Sequence, residues 1–421
     1  MNPFSSLLLL KGLFIRLSLA LIILLCFSKI TLGQKFKPFE DESHKFTSQL
    51  EEVIKNQLSD EDKQLYKNFA EFWNNDSISF SVEQKGKIID VSNALLKKTI
   101  VNTSHFVALA KILSLYPKDD KIQEIFDPWI NGLAILVNDN KVSIAKIGRF
   151  TENSYLLFTK NILTVNPAFT WKANNNNFTL HLTDDFYIDF SNINLTCYNN
   201  TDSIAVLSTS GRFFPLEDKW IGKEGKVTWA RSNFPEDEIF ATLSNYTINL
   251  TRNEYEADSV LFTNHDYFHE PALGRIKDKI TRVSKPEMMV YPEFHTYTQR
   301  HKIKDLFDDV DFDGGYYMMG SQFVGRGTRE NPAIIEIKRN KKEFLRVEAT
   351  TYIFRRQTLM SNYAQIRFKL ENDSLFHTGL NFTYNDGDRL VTISPTDFLT
   401  TKSPILSSYH NFSMTFGQIQ W

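Results

Sequence analysis

The chain has 421 residues, 42% hydrophobic and 14% aromatic, with 48 Lys and Arg against 50 Asp and Glu. Against a prior of about 150 residues per domain, that length implies two or three domains, and its 35 phenylalanines exclude intrinsic disorder because their burial offsets the ordering entropy. A net charge of -2 leaves no basic field to neutralise phosphates, which argues against nucleic acid as a partner.

Residues 1–33 read as a secretory signal. Lys11 and Arg16 make the charged n-region, Leu17 to Phe27 the apolar stretch, and Ser28 to Gly33 the approach to a cleavage point before Gln34. With the apolar Phe4 to Phe14 added, the segment is also long enough for an uncleaved signal anchor; cleavage is the expectation of the two. The rest of the chain is expected to be exported, to the periplasm or the outer membrane, or alternatively to the extracellular medium. Cys26 follows Leu24 and Leu25 rather than a small residue, so lipid attachment there is not expected. Cleavage leaves Cys197 alone, without an internal disulfide, and its expected role is a small buried apolar side chain.

Residues 34–160 carry a helical period. Phe46, Leu50, Val53 and Ile54 form one stripe, Leu65, Tyr66, Phe69, Phe72 and Trp73 the next, and later stripes begin at Ile88, Phe106 and Ile122. Ser59 with Asp62, and Ser81 with Gln84, are capping-box pairs, while Pro117 and Asn138 to Asn140 are breaks. Five or six helices are expected, as a bundle or a short helical solenoid.

Residues 161–421 change to a period of two. Phe178, Leu180 and Leu182 form one short strand, Phe186, Ile188 and Phe190 a second, and Ile193, Leu195 and Cys197 a third. The pattern recurs at Tyr246, Ile248 and Leu250, at Leu345, Val347, Ala349, Thr351 and Ile353, and at Ile366, Phe368 and Leu370, with Asn385-Asp386-Gly387 as the clearest hairpin turn. Three strands are expected to open on one phrase, Asp202-Ser203-Ile204, Asp258-Ser259-Val260 and Asp373-Ser374-Leu375. The whole predicts an α+β chain: a helical domain, then a mainly antiparallel stacked β-jellyroll or β-solenoid. Phe412, Met414 and Phe416 alternate towards Trp421 without a polar cap, so the chain is expected to continue beyond Trp421 or to pair there with another protein.

The candidate chemistry is sparse. Asp309, Asp311 and Asp313 with Gly314 match the opening of a calcium loop, but Gly320 stands where the bidentate Glu belongs. A solvated strand running into an Asp-Gly-Gly turn is the stronger expectation, with Val310 and Phe312 on its other face. His265 and His269 have zinc spacing only on a helix, and their surroundings read as strand and loop. The pairs Asp184-Asp185 and Asp308-Asp309 read as turn residues rather than hydrolytic carboxylates. No catalytic, cofactor-binding or metal residue and no cofactor is expected, and the chain is read as no enzyme. Ten Asn-x-Ser/Thr sites, among them Asn102, Asn245, Asn249, Asn372 and Asn411, are read as chance in an Asn-rich strand protein. Asp76-Ser77-Ile78 and the three Asp-Ser phrases also look like a short O-glycosylation signal of exported Bacteroidetes proteins. Inward Phe178, Phe186, Phe190, Phe262, Phe368 and Phe382 either fill the β interior, the stronger reading, or line a greasy trough.

The run Trp220-Ile221-Gly222-Lys223-Glu224-Gly225, the strand Ala257 to Phe262 and the run Gly314 to Gly320 resemble large exported Bacteroidetes proteins with a helical N-terminal region and a β stack. The strand type is also similar, more loosely, to the β-jellyroll layers of the lipopolysaccharide-transport bridge (OstA-like) family. That resemblance implies a non-enzymatic envelope scaffold, or a periplasmic lipid conduit whose partners are lipid or another envelope protein at the C-terminal strand edge. The alternative is a secreted carbohydrate-binding or polysaccharide-lyase-like β-helix protein.

Overall fold

The computed structural model describes residues 37–421 except 41, 76, 100–102, 184, 269, 284, 356, 372, 397–403 and 409–412. The expected signal with Cys26 lies outside the described residues, as do Asp76, Asn102, Asp184, His269, Asn372, Asn411 and Phe412. No helix among the described residues is long and apolar enough to cross a membrane. The architecture is α+β, with six helices among the described residues followed by a large antiparallel β structure. Two compact units divide the chain: one runs through Thr159 and takes in Leu180–Phe186, the other comprises Lys160–Thr179 and Tyr187–Trp421. A single boundary near residue 160 therefore misses one excursion. Leu182 returns to the helices and sits against Gly132, where an added Cβ would come within 2.5 Å of it, and Phe186 meets the Phe150 ring edge-on at 6.3 Å.

The helices are α1 (Ser43–Ile54), α2 (Asp60–Trp73), α3 (Val82–Lys98), α4 (Ser104–Leu115), α5 (Asp120–Asn138) and α6 (Ile144–Lys160). Both capping boxes form: Asp62 N–H donates to Ser59 Oγ at 3.1 Å and Gln84 N–H to Ser81 Oγ at 3.1 Å, each N3 side chain accepting from the cap N–H in return. Apolar almost all round, α4 buries Phe106, Leu109 and Leu113 and packs on α1 and α2, while α3 packs on α5. Burial pushes His105 down to about 4, so it is neutral, with Nε2 2.9 Å from Thr99 Oγ1. Trp73, fully buried, meets Phe46 at 4.8 Å and Phe69 at 5.7 Å.

The strands are β1 (Ile162–Asn166), β2 (Phe169–Ala173), β3 (Phe178–Leu182), β4 (Phe186–Tyr198), β5 (Ser203–Phe214), β6 (Lys219–Lys223), β7 (Lys226–Thr228), β8 (Ile239–Thr242), β9 (Asn245–Asn249), β10 (Glu254–Asn264), β11 (Ala272–Lys279) and β12 (Glu293–Phe307). They continue as β13 (Val310–Met319), β14 (Gln322–Arg326), β15 (Ala333–Arg339), β16 (Lys342–Ala349), β17 (Thr351–Arg355), β18 (Thr358–Lys369), β19 (Ser374–Asn385), β20 (Leu390–Pro395), β21 (Ile405–Ser407), β22 (Ser413–Met414) and β23 (Ile419–Gln420). One antiparallel ladder joins β1, β2, β4, β5, β6 and β9 in that order. A second leaves β5 at Leu207 for β7 and runs through β8, β10, β11, β12 and β13. There it branches. The first half of β13 carries β15 and β16, the second half β14 and β17, and both branches rejoin on β18. β19 pairs with β18 and divides again, its first half taking β21 and β22 and its second β20 and β23.

On β5, β18 and β19 the branching coincides with a bulge that recurs. Buried residues follow one spacing in five long strands: Ile188, Phe190, Ile193, Leu195, Cys197 in β4; Ile204, Val206, Thr209, Gly211, Phe213 in β5; Tyr255, Ala257, Val260, Phe262, Asn264 in β10; Leu359, Ser361, Ala364, Ile366, Phe368 in β18; and His377, Leu380, Phe382, Tyr384 in β19, where half-buried Leu375 takes the first place. The step of three in place of two is one surplus residue, and the ladder register shifts there in each strand. Asn192, Ser208, Ser259 and Gly379 take left-handed φ of 50°, 50°, 55° and 78° at that place. The surplus residue bends the strand while keeping the same face inward on both halves.

Three expectations are corrected here. Phe186 to Cys197 lies in one strand of 13 residues, Phe186–Tyr198, rather than in two, because the bulge at Ser191-Asn192 restores the phase. Asp258-Ser259 lies at the bulge inside β10 and does not open a strand, although Ser203 and Ser374 do. Leu345 to Ile353 is two strands, and the phase flips after Ala349, so that Tyr352 and Phe354 point inward while Thr351 is exposed. The Asn385-Asp386-Gly387 hairpin forms between β19 and β20.

Aromatic rings fill the interior along the ladder. Phe178, Phe190 and Trp220 follow one another at 5.4 and 5.7 Å. Further on, Trp229 meets Phe262 at 5.0 Å, Phe262 stacks on Phe294 at 4.3 Å, Tyr316 on Phe323 at 4.3 Å and Phe323 on Phe354 at 4.0 Å. All are buried, as are Phe368 and Phe382; Phe186 alone of the expected interior set is half-buried and belongs with the helices.

Candidate functional site

Three of the acidic residues singled out in the sequence, Asp308, Asp311 and Asp313, are engaged in ion pairs. Asp311 Oδ1 accepts from Lys338 Nζ at 2.7 Å and from Asp305 N–H at 3.0 Å, and Asp313 Oδ1 accepts from Arg300 Nε at 2.9 Å. Asp308 pairs with Arg389, and Asp309 holds the turn between β12 and β13 at φ 62°. Val310 and Phe312 are buried on the opposite face, as expected, but Gly314 and Gly315 lie inside β13 rather than in a turn. They mark the change of branch: β15 pairs up to Asp313 and β14 from Gly315 onward. No group of three or more His, Cys, Asp or Glu among the described residues could hold a metal ion. His265 is exposed in the turn after β10, and Asp185 in a bend. Cys197 is fully buried, and burial pushes its thiol up to about 12.

One buried charged cluster stands out. Arg231, in a short 3-10 turn after β7, pairs with Asp202 at 2.8 Å and with Asp278; the two carboxylates are only 5% and 3% exposed. Thr281 N–H donates to Asp202 at 2.7 Å and Lys279 N–H to Asp278 at 2.9 Å. Burial raises Asp278 to about 7, with Arg231 opposing and the charge of Asp202 adding to the rise. Asp202 thus ties the opening of β5 to the end of β11, and the cluster acts as a buried fastener.

Two grooves on the outer surface share a design. The first, about 340 Å³, is lined by Tyr297, Gly315, Tyr317, Arg326, Thr328 and Asn331. Arg326 places its guanidinium 4.4 Å from the centre of the Tyr317 ring, and His295 stacks on the same ring at 5.2 Å. Tyr297 is held at φ 52°; its hydroxyl accepts from Ser259 N–H at 2.9 Å and donates to Asp258 at 3.2 Å. Arg300 is fully occupied, bonded to Asp313, Asn331 and Pro332, and so shapes the wall. The second groove, about 360 Å³, is lined by Asp189, Ser191, Ser210, Arg212, Phe214 and Lys223, with the Arg212 guanidinium 4.5 Å from the centre of the Tyr187 ring.

Pairing registers superpose the grooves. Ser210 opposes Lys223 as Gly315 opposes Arg326, Arg212 opposes Ile221 as Tyr317 opposes Val324, and β6 follows β5 as β14 follows β13. The floor strands read Trp220-Ile221-Gly222-Lys223 and Phe323-Val324-Gly325-Arg326: a buried aromatic, an aliphatic that is exposed as Ile221 and buried as Val324, a glycine, then an exposed cation. Each glycine lies under a ring, Gly222 beneath Tyr246 and Gly325 beneath Phe312, where a Cβ would come within 2.1 and 2.6 Å. Sequence reading missed these residues as a site, because Tyr297, Tyr317 and Arg326 converge from three strands. The repeated aromatic-aliphatic-Gly-cation phrase was the signal that could have found them. No family model, no curated protein and no solved structure matches the chain.

Proposed function

We propose that the protein is an exported, non-enzymatic scaffold of the cell envelope, in which a helical unit precedes a β stack held layer to layer by its ladders. The observation that carries this reading is the filled interior: the column from Trp229 through Phe262, Phe294, Tyr316, Phe323 and Phe354 occupies the space an acyl chain would need. A lipid conduit would have to displace those rings, at the cost of their packing. The ion pairs of Asp311 with Lys338 and of Asp313 with Arg300 support structural rather than catalytic use of these carboxylates. Among the described residues β22 and β23 pair on one side only, with β21 and β20, and a further envelope protein adding a strand there is the partner this scaffold would take. The test is organic extraction and lipid mass spectrometry of the chain purified without detergent, beside an unrelated exported β protein. Background lipid is expected; selective, stoichiometric lipid would overturn the scaffold in favour of the conduit.

A further inference from the structure

The outer grooves are repeated where the fold does not require it. The bulge and the ladder explain why a long hairpin and a short third strand recur, but not why the third strand ends both times in an exposed cation. Lys223 and Arg326 have no carboxylate within ion-pair distance among the described residues, whereas Arg231, Arg275, Arg300 and Arg346 all do. Each groove sets its cation beside neutral hydrogen-bonding groups, Thr328 and Asn331 in one, Ser191 and Ser210 in the other, where the one lining carboxylate, Asp189, is paired with Arg212 at 3.9 Å. Each also has aromatic walls, Tyr297 and Tyr317 in one and Phe214 in the other. Both lie in the lower range of volumes of small-ligand sites, and both open to solvent, with Arg326, Thr328 and Asn331 exposed along one rim and Ser191, Arg212 and Lys223 along the other.

We propose that the two grooves are equivalent subsites for an acidic polysaccharide, the carboxylate of one sugar residue meeting Arg326 in one groove and Lys223 in the other. The chemistry is matched. A carboxylate completes a cation that has no internal carboxylate, Arg326 being held only against the Tyr317 ring. Sugar hydroxyls suit the serine, threonine and asparagine groups, and the apolar face of a pyranose ring suits Tyr297 or Phe214. An open groove admits a chain that passes through it, and two subsites on one β unit raise the apparent affinity for a polymer over that for a monomer. This inference does not depend on the scaffold reading, since lipid found in the interior would leave the outer grooves unchanged.

The test is affinity electrophoresis of the full chain through gels containing polygalacturonate, neutral dextran or dextran sulfate. Expected is retardation by polygalacturonate and none by dextran, with Arg326→Gln and Lys223→Gln each weakening it about tenfold and the double variant weakening it further, as loss of a charge-assisted contact does. A charge-matched control, Lys304→Gln with Lys342→Gln on exposed strand positions outside both grooves, should bind as the parent does. The proposal is overturned if the parent is not retarded by polygalacturonate. It is equally overturned if the control loses as much as the groove double variant, or if dextran sulfate retards parent and double variant alike, since these show plain ion exchange. Binding of phosphatidylglycerol vesicles that the double variant abolishes, without binding of polygalacturonate, would assign the cations to lipid headgroups and also overturn it.

Discussion

The two units cohere by different means. In the helical unit many contacts are local, Ser59 capping its own helix and Trp73 resting on Phe69, and α4 packs on α1 and α2 through side chains alone. In the β unit the contacts join residues far apart, as when Arg231 gathers Asp202 and Asp278 or β16 and β17 converge on β18. The lesson is where stability is concentrated. Local contacts spread it over many small terms, whereas long-range fasteners place it in a few residues whose loss is felt across a unit.

The largest effect should follow from breaking such a fastener. Arg231→Met leaves the buried Asp202 carboxylate, and Asp278 where it is ionised, without their cation and is expected to cost about 3–5 kcal/mol, read as a lower denaturation midpoint with hydrogen-exchange protection lost in the β strands and kept in α2 to α5. A matching lesion in the helices, Leu109→Ala at a fully buried position, should cost about 3 kcal/mol by cavity formation and transfer the protection loss to the helices. If both variants weaken both units equally, the contrast between them fails.

The fastener should also respond to pH. Folding raises Asp278 to about 7 from an unfolded value of about 3.9, so the folded state holds a proton that the unfolded chain releases. Its contribution is full below about pH 4 and is lost as pH rises through about 7. Stability should therefore decline over that window, and Asp278→Asn should flatten the decline in a series of denaturant melts.

Smaller effects test the bulges. At Gly379, φ 78°, a Cβ would lie 2.9 Å from the Tyr363 ring, so Gly379→Val should cost about 2 kcal/mol through left-handed strain and that contact. Ser259→Gly at φ 55° should do the reverse and gain about 0.5–1 kcal/mol by relieving the same strain. A loss of stability in Ser259→Gly would mean that the serine side chain, rather than the backbone, secures the bulge.

Legibility in the sequence divides along the same line. The stripes through Phe46, Phe69, Phe106 and Trp129, and both capping boxes, could be read because a helix places its partners three or four residues apart. The inward phase of Ile188, Phe190, Ile193 and Cys197 was legible as well, but not that it belongs to a single strand. A phase step looks the same whether it marks a turn or a bulge, and only the partner strand decides. Gly314-Gly315, where β13 branches, was read as a turn because an Asp-Gly-Gly run is turn chemistry, and only the pairing of β13 puts it inside a strand. The grooves were hidden more deeply: Tyr297 and Arg326 meet through the pairing of three strands, and pairing is not written in any one of them. The strand phrase shared by Trp220 to Lys223 and Phe323 to Arg326 was the part a repeat search could have recovered.

The rejoining of both branches on β18 and β19 has a mechanical consequence. Tension along the strands loads many backbone hydrogen bonds together, in shear, whereas tension across them opens one pair after another. A tear that entered at β22 or β23 and ran inward would follow one branch only as far as β19, where the same strand belongs to the other branch too. From there both rows must open at once, so the bent strands act as rip-stops in a fabric that would otherwise unzip.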